Sequence, residues 1–380
     1  MHSKLRNLSE KYIYWILGAW IFLTVVRFSN LSGTILTGLI YPVFSILLRV
    51  LFLGCCLGRM EKFTIRIWLN TGVYLMISGL SLYITGETTF ADAFMAAALM
   101  QDANHTRVIR AFLLSISGAF ILVFCLTVLG LIVPWDIDGR LYFGFCNPMA
   151  VSWIVYAAIL LIMIVLWEKK HYAVMLGLTG VSALFLQFGS QGKTAVLTYP
   201  VIIAVLLIQA IYEKKSGHSL PEQRWFRTVC CIIPLFLFIT CFMVAESAGA
   251  REAVLRIGQS FYNRFNMGYY FLRDYGISIW GSRMPLPLDA VTSAKYGYAE
   301  GDPMVLDCLY LKLPIKYGVI STVYFFYMTY RSLLGYLRQK NILMLSIFMG
   351  LCVYSMMDRI VLLLPFTFIY ILALPDKEVL

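Results

Sequence analysis

The chain is written as a succession of long apolar runs, and no other feature constrains its fold so strongly. Runs of spanning length lie at about 12–29, 34–57, 67–86, 111–133, 149–167, 172–189, 194–212, 228–245, 304–330, 341–357 and 359–375. A helix needs about 20 apolar residues to cross the ~30 Å hydrocarbon core of a bilayer. Hydrophobic residues make up 60% of the chain and charged ones only 13%. A soluble domain would carry about a quarter charged residues. These figures exclude an ordinary soluble enzyme, a disordered chain and a secreted disulfide scaffold. The expected fold is all-α, a polytopic membrane helical bundle forming a single integral membrane domain over residues 1–380.

The basic residues between the runs set the topology. Lys4, Arg6 and Lys11 precede the first run, and Arg59, Lys62 and Arg66 separate the second from the third. Such clusters on short loops stay cytoplasmic. His105, Arg107 and Arg110 form the next cluster, so an even number of crossings must separate it from the last. The segment from Thr88 to about Ala103 supplies the missing one, as a short or re-entrant helix hairpinned to the third through Gly86-Glu87. It would span only about 24 Å. The count becomes about 12 transmembrane helices, with both termini cytoplasmic. Most of the 31 lysines and arginines, through Lys169-Lys170, Lys214-Lys215, Arg224, Arg227, Arg331, Arg338, Lys340 and Lys377, then lie inside. The net charge of +11 therefore reports orientation first, and nucleic acid is not an expected partner. The nine cysteines fall mostly within apolar runs, form no CxxC and read as small packing residues.

One long segment, about 246–303 between the ninth and tenth spans, falls outside, and it breaks the charge rule. Arg251, Arg256, Arg264, Arg273, Arg283 and Lys295 crowd it. Long loops translocate largely regardless of charge, so the topology stands. The cations either snorkel and pair with Glu252, Asp274 and Asp289, or hold an anionic substrate, for which diphosphate is the obvious candidate. Residues 250–275 have helical apolar spacing with interleaved aromatics and arginines, so the loop is expected to contain short helices.

Three further patches differ from lipid-facing sequence. Residues 134–148 carry Arg140 and Asn147, the latter equally readable as a helix cap. Residues 189–194 join the seventh and eighth spans and carry Ser190 and Lys193. Residues 302–312 lead into the tenth span and carry Asp307 and Tyr310. A carboxylate at the mouth of a membrane helix is expensive unless paired or functional, and Asp307 with Lys312 or an arginine would be such a pair. The four histidines, His2, His105, His171 and His218, are all cytoplasmic in this topology. External acid–base chemistry would have to use a carboxylate, Asp307, Asp302, Glu300, Asp289 or Asp138, or no protein base at all. No nucleotide-binding or zinc motif is present, and neither a metal nor a cofactor is expected.

The patches occur in a recognisable order. Arg140-x-x-Phe143-Gly144-Phe145-x-Asn147-Pro148 is followed by Gly189-Ser190 with Thr194, then Arg264, Trp280-Gly281, Asp307-Cys308-x-Tyr310 and Tyr317-Gly318. Over about residues 110–330 this resembles the Wzy-type polysaccharide (O-antigen) polymerases of the O-antigen polymerase/ligase superfamily. Departures fall at Met149, Gln191 and Cys308, and Lys193 stands near the position of a common arginine. The resemblance implies a membrane glycosyltransferase at the outer face of the cytoplasmic membrane. It would move a growing glycan from undecaprenyl diphosphate to the nonreducing end of another lipid-linked repeat unit. Lipid-linked oligosaccharides, membrane lipid, a chain-length regulator and a flippase are the implied partners. Arg140, Arg264 and Asp307 are the implied catalytic residues. Asn147, Ser190, Lys193, Arg273, Arg283 and Tyr310 are the implied substrate-binding ones. The competing readings are a ligase of the same superfamily and a lipid-linked oligosaccharide flippase. A transporter would show ionisable groups at mid-membrane and paired repeats. Here Arg49 and Asp92 are the few deep charges and no repeat stands out.

Overall fold

The computed structural model describes residues 2–33, 40–58, 65–100, 103–132, 142–146, 148–190, 192–284 and 306–373. Among them the fold is all-helical, with one isolated bridge between Ser29 and Phe145. The principal helices are α1 (His2–Val26), α2 (Tyr41–Leu57), α3 (Ile65–Thr85), α4 (Thr89–Leu99), α5 (His105–Val128), α6 (Pro148–Glu168), α7 (Tyr172–Leu184), α8 (Lys193–Ser216), α9 (Arg224–Glu246), α10 (Ala248–Ile257), α11 (Gln259–Tyr275), α12 (Leu309–Lys312), α13 (Gly318–Arg338), α14 (Ile342–Tyr354) and α15 (Phe368–Ile371). Five helices among the described residues are long and apolar enough to cross a membrane: His105–Val128, Met149–Glu168, Tyr172–Gly189, Lys193–Ser216 and Arg224–Glu246. Large apolar side chains such as Trp15, Ile65, Tyr83 and Phe188 stand at the surface, 72–86% exposed. Water would penalise that surface and lipid would not, so the chain is a membrane protein.

Three apolar stretches fold differently from an unbroken span. The 88–103 segment forms only eleven helical residues in α4, about 16 Å long, and Phe90 and Ala93 to Ala98 are buried. The 304–330 run is divided into α12, a wide turn over Leu313–Tyr317 and α13. Pro314 lacks an amide hydrogen for a regular helical ladder, and Gly318 turns the chain at φ 84°. The 359–375 run becomes tight single turns at Ile360–Leu362 and Leu364–Phe366, the second containing Pro365, followed by the four-residue α15.

The chain packs as two compact units. The first comprises residues 1–71, 96–203 and 364–380. Its core is aromatic: Trp20 meets Phe52 at 5.6 Å between ring centroids, Phe112 meets Phe368 at 5.9 Å, and Tyr156 meets Tyr199 at 5.3 Å. The Thr198 hydroxyl donates to the Tyr156 oxygen at 2.7 Å.

The second unit comprises residues 72–95 and 204–363. Tyr74, Phe90 and Phe94 of the α3–α4 hairpin pack on Tyr317, Tyr324 and Phe325 at the start of α13. Phe238 of α9 lies edge-on to Tyr310 and Phe326. The stretch 250–275 is helical as its spacing predicts, but in two pieces broken at Gly258.

A backbone clasp holds the segment after α11 against the turn before α13. The Ser282 amide donates to the Lys316 carbonyl at 2.9 Å, Val319 to Ser278 at 3.0 Å and Ile320 to Ile279 at 3.2 Å. The Ser282 hydroxyl also donates to the Ile315 carbonyl at 2.7 Å. The two chains approach so closely because Gly281 (φ 104°) and Gly318 (φ 84°) face one another without side chains. A methyl at Gly318 would lie 2.3 Å from the Gly281 nitrogen and 2.5 Å from the Trp280 carbonyl carbon. Gly318→Ala adds a left-handed strain to that collision, and we expect it to cost about 3 kcal/mol. The measurement is the thermal unfolding midpoint in detergent. Gly79→Ala, where nothing lies within 4 Å, serves as the neutral comparison.

Candidate functional site

The second unit contains a concentration of charge that its apolar surroundings make costly. Glu87 sits in the turn joining α3 to α4, where its amide donates to the Thr85 hydroxyl at 3.2 Å. The aromatic packing of that hairpin on α13 presents the carboxylate to three donors. Lys316 Nζ donates to Oε1 at 2.5 Å, Tyr317 Oη donates to Oε2 at 2.6 Å, and Lys312 Nζ lies 3.6 Å from Oε2. The two lysine side chains are 0% and 2% exposed, against 25% for Glu87. Burial would raise the Glu87 carboxyl, but Lys312, Lys316 and Tyr317 together outweigh it and hold the group down at about 2.

A second group of charges adjoins the first through Lys312. Asp307 lies within electrostatic reach of Arg264, Arg359 and Lys312. Asp358 lies within reach of Asp307, Arg264 and Arg359. Arg264 comes from α11, Asp307 from the segment entering α12, and Asp358-Arg359 from the chain leaving α14. Local bonds bring these together: the Leu309 amide donates to the Ser355 carbonyl at 2.9 Å, and Tyr310 Oη to the Cys352 carbonyl at 3.1 Å. Asp358 is 9% exposed. Its burial, with the neighbouring Asp307, raises its carboxyl well above the ordinary range despite the two arginines.

The cluster holds Arg264, Lys312, Lys316 and Arg359 against Glu87, Asp307 and Asp358, so cations are in excess even with every carboxylate ionised. Two of its buried donors, Lys312 Nζ and Arg264 Nε, have no hydrogen-bond acceptor. Arg264 is oriented by its terminal nitrogen, which donates to the Ser260 hydroxyl at 2.7 Å and the Ser260 carbonyl at 3.2 Å. Unsatisfied buried donors beside surplus positive charge are what an oxyanion would complete.

The structure thus brings together Arg264 and Asp307, two of the residues expected to carry chemistry. Tyr310 is close in sequence but buried, its hydroxyl already spent on α14. Arg273 and Arg283 are exposed, without a place in the cluster. Ser190 and Lys193 belong to the first unit: Ser190 is buried and shares a 2.9 Å hydrogen bond with Ser152, while Lys193 is exposed. Arg140 and Asn147 lie outside the described residues. Their neighbour Phe143 adopts φ 48°, which is rare for a bulky side chain, and rings of Phe124 and Phe185 hold it at 5.8 Å.

Glu87, Lys316, Asp358 and Arg359 were not legible as site residues. The available signal was the expense of Lys312 and Lys316 in an apolar run, and of an Asp-Arg pair between the last two runs. The pairing of Trp280-Gly281 with Tyr317-Gly318 is likewise visible only in the clasp. No family model, curated protein or solved structure matches the chain.

Glu87→Gln removes the carboxylate that two buried ammoniums share, and we expect a loss of about 3–5 kcal/mol of stability. The folded carboxyl is depressed, so its contribution is complete above the unfolded value of 4.5 and disappears as pH falls toward about 2. Unfolding midpoints measured across that window should fall more steeply for the natural protein than for Glu87→Gln.

Proposed function

We propose that this chain is a membrane glycosyltransferase that polymerises lipid-linked glycan repeat units. In this reading about twelve spans cross the cytoplasmic membrane, both termini are cytoplasmic, and residues 246–303 lie on the outer face. The donor is a glycan on undecaprenyl diphosphate, and the acceptor is the nonreducing-end hydroxyl of a second lipid-linked unit. The observation that carries the reading is the gathering of two buried lysines and two half-buried arginines, with unsatisfied donors on Lys312 and Arg264, around Asp307.

The chemistry asked of such a site is limited. The acceptor oxygen bonds to the anomeric carbon as the bond from that carbon to the diphosphate oxygen breaks. The acceptor proton passes to a carboxylate, for which Asp307 is our assignment. Negative charge grows on the departing diphosphate, so fixed cations stabilise the transition state more than the ground state. Arg264, Lys312 and Arg359 would supply that charge in this reading; Arg140, outside the described residues, is assigned to the diphosphate by the motif resemblance alone. Lys316, paired at 2.5 Å, acts by fixing Glu87.

In a strain whose surface glycan requires this gene, polymer length reads the site directly. We expect Arg264→Ala and Asp307→Asn each to reduce polymerisation by about 10²-fold or more. Arg273→Ala and Arg283→Ala, exposed and outside the cluster, should cost less than about tenfold. Deletion should leave single repeat units displayed outside the cell. Full-length polymer from expressed Arg264→Ala and Asp307→Asn variants would overturn the reading, and undisplayed units accumulating on the inner face would point to a flippase.

A further inference from the structure

A cleft of about 420 Å³ opens between the beginning of α9 and the end of α13. The helices run antiparallel, so these two ends lie at one level. Arg227, Arg338 and Lys340 line the cleft at that level; Cys231, Ile232 and Leu334 line it one turn deeper along the helices. The volume is within the range of about 300–1,000 Å³ that suits small ligands.

The charges here are organised differently from those around Asp307. Arg227 Nε donates to the Pro221 carbonyl at 2.6 Å, which fixes the guanidinium and leaves its two terminal nitrogens. Lys340 pairs with Glu222 at 2.5 Å, and that contact, with a bond from Ser219, draws the Glu222 carboxyl below its ordinary range. Glu222 offsets only one of the three cations. Arg338 is exposed at the last residue of α13. The deeper wall is both apolar and open: Ile232 is 55% exposed and Leu334 43%, and Leu235 and Phe236 continue that surface along α9.

α9 is a helix of membrane-crossing length, so its first turn falls at the level of lipid phosphates. Two uncompensated cations at that level, above an open apolar wall, match a molecule with an anionic head and a hydrocarbon tail. We propose that this cleft is a binding site for an anionic phospholipid, its phosphate between Arg227 and Arg338 and its first acyl segment against Ile232 and Leu334. Free phosphate would use the cations and leave the wall empty. The site does not depend on the glycosyltransferase reading.

The test uses the full chain reconstituted in vesicles of equal phosphatidylglycerol and phosphatidylcholine, then extracted gently and weighed with its bound lipid by native mass spectrometry. The natural protein should retain phosphatidylglycerol over phosphatidylcholine by at least about fivefold, since each basic residue near a bilayer surface contributes about that factor. Arg227→Gln/Arg338→Gln should bring the ratio to about one, and Arg227→Lys/Arg338→Lys should preserve most of it. Arg338→Gln alone changes only an exposed helix-terminal side chain and should lower the ratio severalfold, so the proposal is testable even if the double variant misfolds. No preference in the natural protein would overturn the proposal. An unchanged ratio in Arg338→Gln, or loss of the lipid to excess inorganic phosphate, would do the same.

Discussion

Two ammonium groups inside a membrane protein need an anion, and Glu87 provides it for both Lys312 and Lys316. Much of the second unit is arranged around that contact. The α3–α4 hairpin has to end where it does so that the carboxylate reaches the lysines, and Tyr74, Phe90 and Phe94 seat the hairpin on α13 for that purpose. Desolvating three charges is costly, and the 2.5 Å and 2.6 Å bonds to Glu87 are the compensation. One carboxylate facing two ammoniums still leaves positive charge over. Lys312 also stands within electrostatic reach of Asp307 and Arg359, so the two groups of charges adjoin there.

The glycine clasp has a complementary role. Lys316 and Tyr317 lie in a wide turn that an ordinary helix would not make, and backbone bonds with 278–282 help fix its shape. Side chains at 281 or 318 would hold the strands apart and move both donors off Glu87. The position of the charge cluster therefore depends on two residues that carry no chemistry. A site assembled from a hairpin turn, the α11 helix, a broken span and the end of α14 is well suited to surround an anion. Its four cations arrive from three elements, Lys312 and Lys316 together from the broken span, each on an element whose place is set by packing.

The apolar runs made the helical, membrane-embedded character of the chain legible, because burial in lipid demands long apolar stretches whatever their partners are. Helical spacing likewise announced the helices within 250–275. Asp307 could be singled out because a carboxylate at the edge of an apolar run stands out, and Arg264 because it lies in a cation-crowded segment and in the motif order. Their companions could not. Glu87 reads as an ordinary turn residue, and Asp358-Arg359 as the boundary between two runs, since nothing in their spacing relates residue 87 to 316 or residue 358 to 264.

Composition and the order of apolar runs by themselves determined that this is an all-α membrane protein. The motif resemblance drew attention to Trp280-Gly281 and Tyr317-Gly318 without saying that the two meet. Tertiary structure alone decided which charges share a site, which arginines stay at the surface, and where a continuous apolar run must break. The reason is physical. Transfer into lipid is a property of each segment taken singly, whereas an ion pair across more than two hundred residues exists only once packing has brought its partners within a few ångströms.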